Sequence, residues 1–220
     1  MNSTNPNVIN HLGIIPDGNR RWAKANNLST FDGHKQGIET LKQIALYCLE
    51  EKVRFLTVYT LSAENLANRS KSELEDLFFL IKQLFNTDLI SFCTDKIKVL
   101  IIGDPNLFPP DLAPTINDLQ EKTKNNVGLT LSFLFCYGGK QEILQAASSD
   151  NFEKSLWSKE LPELDLIIRT GGQKRLSNFL PWQSSYAELA FLEIMWPEFN
   201  LKALREVFYN FSQCTKNFGA

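Results

Sequence analysis

A chain of 220 residues with 43% hydrophobic and 22% charged residues has the size and composition of one globular domain with a real core. Its net charge of −2 excludes a global basic field for nucleic acid, so any anion must be gathered by local clusters. Two histidines exclude a multi-histidine metal centre, and no apolar stretch approaches the ~20 residues needed to span a bilayer.

Residues 1–10 are polar, lack a signal-peptide core and read as a disordered lead-in, so the expected compartment is the cytoplasm. The four cysteines are far apart and sit in apolar runs, as buried free thiols of a reducing compartment would. Residues 12–15 predict a short buried strand. It stops at Pro16-Asp17-Gly18-Asn19, which is turn chemistry, and Arg20, Arg21 and Trp22 follow in a helical start. A carboxylate, a glycine and two guanidinium groups thus gather at a strand's C-terminal end, where α/β sheets bind ligands. A surface turn whose Asp only caps a helix remains the plain alternative.

Asp32-Gly33 predicts the start of a helix, with Ile38, Leu41, Ile44 and Cys48 at helical spacing. Residues 53–61 predict a strand ending in Ser62-Ala63-Glu64-Asn65, and residues 66–71 a mobile loop. Ser72-Glu73 opens a long amphipathic helix through Phe78, Ile81, Leu84, Phe85 and Leu89. That stripe is either plain core or the wall of a tunnel for an apolar substrate. Further strands are predicted over 97–102, 129–135, 164–168 and 190–195, and helices after Pro109-Pro110 through Lys124, over 140–147 and over 201–211.

Strands alternating with helices predict a single α/β domain: a central, mostly parallel six-stranded sheet flanked by helices. The strand ends then bring Asp17, Glu64, Asn65, Asp104, Tyr137, Gly138, Gly139, Arg169, Thr170 and Gly171 to one edge. Arg21, Arg169, Arg175 and Lys174 with glycine-rich turns suit phosphate or diphosphate, and two basic loops suggest two anions side by side. Arg169 could instead pair with Asp165 or Asp104, and His34 could be no more than a residue of a helical turn. Dinucleotide, P-loop and nucleophile-elbow motifs are all missing.

The blocks HLGIIPDGNRRWA, DGHKQG, SAENLANR, IIGD, YGG and PELDLIIRTGGQKRLSNFLPWQSSYAEL resemble those of the cis-prenyltransferases, in order, over residues 11–219. The resemblance implies an Mg2+-dependent homodimer that condenses isopentenyl diphosphate with an allylic prenyl diphosphate and delivers its product to a membrane. It implies Asp17 and Asn65 as catalytic residues, with Ser62 assisting, and Asp17 with Glu188 as metal ligands, Glu188 alternatively serving the dimer side. Gly18, Asn19, Arg20, Arg21, Trp22 and His34 would bind substrate. So would Ala63, Glu64, Leu66, Arg69, Arg169, Arg175, Leu176 and Ser177, with Glu73 in a flexible lid.

This chain departs from the family pattern at several places. Thr30 replaces an arginine, Leu66 a tryptophan, Cys136 an asparagine and Thr60 a smaller residue; the lid has one extra residue before Arg69, and the connection 139–161 is short. A divergent paralogue that makes short or rearranged products, or binds prenyl diphosphate without elongating it, is therefore the alternative reading.

Overall fold

The computed structural model describes residues 8–93 and 95–214. Six strands form one parallel sheet in the order β3-β4-β2-β1-β5-β6, as the alternating pattern predicts. They are β1 (His11–Ile15), β2 (Phe55–Ser62), β3 (Ile97–Ile102), β4 (Leu129–Tyr137), β5 (Leu166–Arg169) and β6 (Glu188–Phe191). The helices are α1 (Asn19–Ala25), α2 (Thr30–Glu50), α3 (Ala63–Asn68), α4 (Lys71–Gln83), α5 (Leu89–Cys93), α6 (Ala113–Thr123), α7 (Gly139–Ala146), α8 (Phe152–Ser155) and α9 (Leu201–Ser212).

Alternation along the strands builds two cores. Leu12 and Ile14 of β1, with Leu131, Phe133 and Phe135 of β4, face the larger core against α2, α4 and α9. Ile15, Leu134 and Tyr137 face a smaller core closed by Phe179, Leu180 and Leu164. Cys48, Cys93 and Cys136 are buried free thiols; Cys214 is only half-buried.

Several local expectations are corrected. Residues 1–7 of the expected lead-in lie outside the described residues, but Ile9 is buried in the larger core and the Asn10 amide donates to Asp165. Helix α2 begins at Thr30, not Asp32: Ser29 is its cap, and Asp32 closes a capping box from the third position. The expected loop at 66–71 is mostly helix, because the Ser62 hydroxyl accepts from the Asn65 amide and caps α3. The long helix after Ser70 is interrupted by a π-helical turn, Leu84–Asp88, which separates α4 from α5. Strand β6 is displaced toward Glu188. It pairs from Leu166↔Glu188 to Arg169↔Phe191, and the chain beyond instead accepts from Gly171 and Gly172.

Chain connections leave β1 toward β2 on one side, whereas β5 leads to β6 on the other. These two neighbours, paired Leu12↔Leu166 through Ile15↔Arg169, are the sheet's switch point, and a crevice opens beyond their C-terminal ends.

Candidate active site

A cleft of about 910 Å³ opens there, near the upper end of the range for small-molecule sites. Its mouth carries Asp17, Arg20, Arg21, His34, Arg69, Arg169 and Arg175; its depth is lined by Leu41, Leu77, Leu80, Ile81, Leu84 and Phe133. One cavity thus joins a cationic mouth to an apolar channel. The stripe on the long helix divides between both expected uses. Ile81 and Leu84 line the channel, while Phe85 and Leu89 are buried in the core, Phe85 with its ring centroid 5.5 Å from that of Phe133.

Asp17 is held from both sides. The Thr170 hydroxyl accepts from the Asp17 amide at 3.0 Å and donates to the Asp17 carbonyl at 2.8 Å, and the Trp196 amide donates to the same carbonyl. Gly18 then turns the chain at φ 112°, a left-handed conformation, with Met195 so close that a Cβ would meet it at 2.9 Å. The carboxylate accepts from Arg21 through Oδ1 and from Arg169 through Oδ2, each at 3.0 Å. Arg169 therefore pairs with neither Asp165 nor Asp104. Asp165 accepts from the amides of Asn10 and His11, and Asp104 caps a 3-10 turn at Asn106.

Arg169 is 5% exposed. Its Nη1 donates to the Arg175 carbonyl and to Ser177 Oγ, which fixes the loop after β5. Arg21 reaches the Gly171 carbonyl, and a Cβ on Gly171 would lie 2.5 Å from the Arg21 guanidinium. The amides of Gly171 and Gly172 donate to Ile194 and Leu192, and those of Gly139 and Lys140 to Asn178. The amides of Gly139, Gly171 and Gly172 are therefore spent within the fold.

On the other wall, Arg20 pairs with Glu73 at 3.2 Å. Burial pushes the His34 imidazole below its ordinary pKa, with Arg69 and Arg20 adding to it and the Thr30 carbonyl and Glu73 opposing. His34 Nδ1 lies 2.9 Å from that carbonyl, so Nδ1 carries the proton of the neutral ring. Burial also lowers Arg69, helped by Arg20.

Gly18, Asn19, Ser62, Glu64, Asn65, Leu176 and Ser177 line the cleft. Trp22, Ala63 and Leu66 are not among its lining residues; Leu66 packs against the larger core instead. Glu188 is also not brought to Asp17. It pairs with Leu166 at the far end of β5, three residues from Arg169, or about 10 Å along the strand. Within one chain it therefore shares no metal with Asp17. Lys140, Asn178 and Phe179 line the cleft without having been singled out, although Asn178 stands inside the quoted SNF block.

A divalent ion fits here in one form only. Among the described residues no three His, Cys, Asp or Glu side chains converge. Mg2+ commonly takes one or two carboxylates and completes its shell with phosphate oxygens and water. Asp17, 29% exposed and facing the cleft, suits that sharing, since each of its oxygens keeps a free lone pair.

Comparison with known proteins agrees. The Prenyltransf family model, described as "Putative undecaprenyl diphosphate synthase", matches residues 15–219. Isoprenyl transferase 2 of Bradyrhizobium diazoefficiens is 38% identical over 95% of this chain and 89% of its own. Isoprenyl transferase of Helicobacter pylori is 38% identical over 97% of each. The crystal structure of lavandulyl diphosphate synthase from Lavandula x intermedia, in complex with dimethylallyl diphosphate, superposes with a TM-score of 0.92 at 28% identity. It covers 97% of this chain and 99% of that one. The parallel sheet, the paired Asp17 and Arg169 and the family match over residues 15–219 lead to one conclusion: this chain belongs to the undecaprenyl diphosphate synthase family of isoprenyl transferases.

Proposed function

We propose that the chain condenses isopentenyl diphosphate with an allylic prenyl diphosphate and so builds a cis-polyprenyl diphosphate. One observation carries this reading: two guanidinium groups flank Asp17 at the mouth of a cleft whose depth is apolar. The mouth suits diphosphates and the depth suits a hydrocarbon chain. The names of the relatives favour this reading over a paralogue that binds without elongating.

Gly18, Asn19, Arg20, Arg21, His34 and Arg69 hold the allylic diphosphate. Arg169, Arg175 and Ser177 hold that of isopentenyl diphosphate, beside it across Asp17. Charge-assisted bonds to the departing diphosphate are the main catalytic contribution, because negative charge grows there as the allylic bond breaks. Asn65, set in place by the Ser62 cap, assists loss of the proton from the condensed product. Asp17 would hold Mg2+, which supplies further neutralisation of diphosphate charge. The apolar channel receives the growing chain and excludes water from it.

A homodimer is part of the same reading. Strand β6 is one edge of the sheet, and Leu189, Tyr186 and Trp182 expose large apolar surface on and beside it. A second copy covering that surface would also account for Glu188, which one chain does not bring to Asp17. A cytoplasmic protein that hands its product to a membrane agrees with the lack of a membrane-spanning helix among the described residues.

The test is incubation with labelled isopentenyl diphosphate, farnesyl or geranyl diphosphate and Mg2+, with products separated by chain length. Incorporation that depends on both substrates is expected. No incorporation with any allylic primer would overturn the proposal.

A further inference from the structure

We infer that Asn178 is a positioning residue that ties the loop bearing Arg175 and Ser177 to the first turn of α3, so that the second diphosphate site and Asn65 keep one fixed separation. The inference rests on the site allocation proposed above.

The loop is strained. Ser177, Asn178 and Leu180 all have positive φ, at 51°, 68° and 37°, and none is glycine. Such backbone persists only where its surroundings hold it. Arg169 holds one end, through Ser177 Oγ and the Arg175 carbonyl. Asn178 holds the other. Its carbonyl accepts from the Gly139 amide at 3.1 Å, and its Oδ1 accepts from the Lys140 amide at 2.8 Å. Its Nδ2 donates to Glu64 Oε1 at 2.8 Å and to Gln141 Oε1 at 3.0 Å. Both side-chain hydrogens are thus spent, on two different helices.

Glu64 lies within the first turn of α3, beside Asn65. Burial pushes its carboxyl up, but bonds from its own amide and from Asn178, Ser62 and Gln141 together outweigh this and set it below its ordinary value. Glu64 therefore accepts as a carboxylate, and the Asn178 bond is charge-assisted. Without it the loop would still be anchored to β5, but nothing else in this set of bonds would relate Ser177 to α3.

The experiment compares Asn178→Gly, Asn178→Asp, Glu64→Gln and the double variant Asn178→Asp/Glu64→Gln by steady-state kinetics. Glycine adopts a φ of 68° freely, so a purely conformational role for Asn178 leaves the glycine variant as good as the wild type. The positioning role instead raises KM for isopentenyl diphosphate about tenfold or more, with the allylic KM changed less than about threefold. Aspartate keeps the acceptor for Lys140 but sets two carboxylates against each other. Glutamine at 64 then donates to it, restoring the tie with donor and acceptor exchanged. The double variant is expected to bind isopentenyl diphosphate better than Asn178→Asp alone, and this cycle decides the matter if the glycine variant does not fold. A glycine variant with wild-type KM, or a double variant no better than Asn178→Asp, overturns the inference. If the wild type incorporates no isopentenyl diphosphate, the functional reading fails separately. Calorimetry with inorganic pyrophosphate then tests the tie, with about tenfold weaker binding by Asn178→Gly expected and equal binding overturning it.

Discussion

Arg169 Nη2 donates to Asp17 Oδ2 at 3.0 Å, and the arginine is almost wholly buried while the aspartate faces the cleft. The pair joins the ends of adjacent strands, β5 and β1. Its asymmetry makes Asp17 both a carboxylate open to the cleft and the counter-charge of a buried cation.

Asp17→Ala should therefore lose kcat by several orders of magnitude and also lose stability. A strand-end position in the sequence suggests little cost to folding, but the buried Arg169 charge would be left without its anion. About 2 kcal/mol is expected, less than for a fully buried pair because Arg169 keeps Ser177 and the Arg175 carbonyl. Denaturant unfolding and kinetics on the same preparation check both parts. Activity above about a tenth of wild type would remove Asp17 from the mechanism.

Arg175→Ala should raise KM for isopentenyl diphosphate more than for the allylic substrate. Arg175 is exposed at the mouth, and among the described residues its Nη1 donates only to Gln173 on its own loop. Loss of one charge-assisted bond to a diphosphate costs roughly 1.5–3 kcal/mol, about ten- to hundredfold in KM. Equal effects on both substrates would mean the two sites are wrongly allocated.

Affinity for the allylic diphosphate should rise as pH falls toward 6. His34 is depressed, first by burial and then by Arg69 and Arg20, so it is neutral in the free protein at pH 7. With Nδ1–H given to Thr30, the other ring nitrogen has no proton to donate until the ring is charged. A bound diphosphate favours that uptake, so binding and protonation strengthen each other. His34→Gln, which donates without a proton, should flatten the profile of allylic KM between pH 8 and 6. An unchanged slope in that variant would acquit His34.

His11 makes folding itself pH-dependent. Burial pushes its imidazole down from 6.5 to about 4, although Pro162, Asp165 and Glu163 pull the other way. The unfolded chain therefore takes up a proton before the folded one does. Stability is complete above 6.5 and falls as pH drops toward 4, and at about 1.4 kcal/mol per pH unit the loss is roughly 3 kcal/mol. His11→Phe, which removes the titrating ring, should lose that slope in urea titrations between pH 7 and 4.5. A wild-type midpoint that does not move over this range would refute the assignment.

Product length is expected to be short for the family. Thr60 is half-buried on the cleft wall, and among the described residues its hydroxyl finds only the Val58 carbonyl, at 3.4 Å. It narrows the channel and makes it more polar than alanine would. Thr60→Ala should lengthen the products seen by chromatography. If the wild type already reaches undecaprenyl length and the variant leaves the distribution unchanged, Thr60 has no such role.

The sheet and the cationic edge were legible because they follow from periodicity and from turn residues after apolar runs. Strand β4 reads off its apolar run, and Asp17 off the Pro-Asp-Gly turn. Helix α3 was not legible as more than a loop, since its short sequence forms only when Ser62 caps it at the end of a strand. The partner of Arg169 was also hidden. The sequence offered Asp165 or Asp104, and the strand register, with Arg169 opposite Ile15, brings Asp17 to it instead. Asn178 was unreadable for a similar reason, as its partners Glu64, Lys140 and Gln141 come from distant segments.

Asp17 and Arg169 stand 152 positions apart, so this crevice cannot exist until the ribosome has passed both. At roughly 5–20 residues per second, Arg169 follows Asp17 by about 8–30 s. During that interval β1 can pair with β2 but has no β5 beside it. A nascent chain therefore offers a lone carboxylate and half of an anion-binding mouth, and prenyl diphosphate gains little by binding it. Any fragment ending before residue 169 lacks the arginine that grips the Ser177 loop, whatever else it has folded. Ligand-induced rescue of a destabilised variant is consequently available only to chains that extend past Arg169.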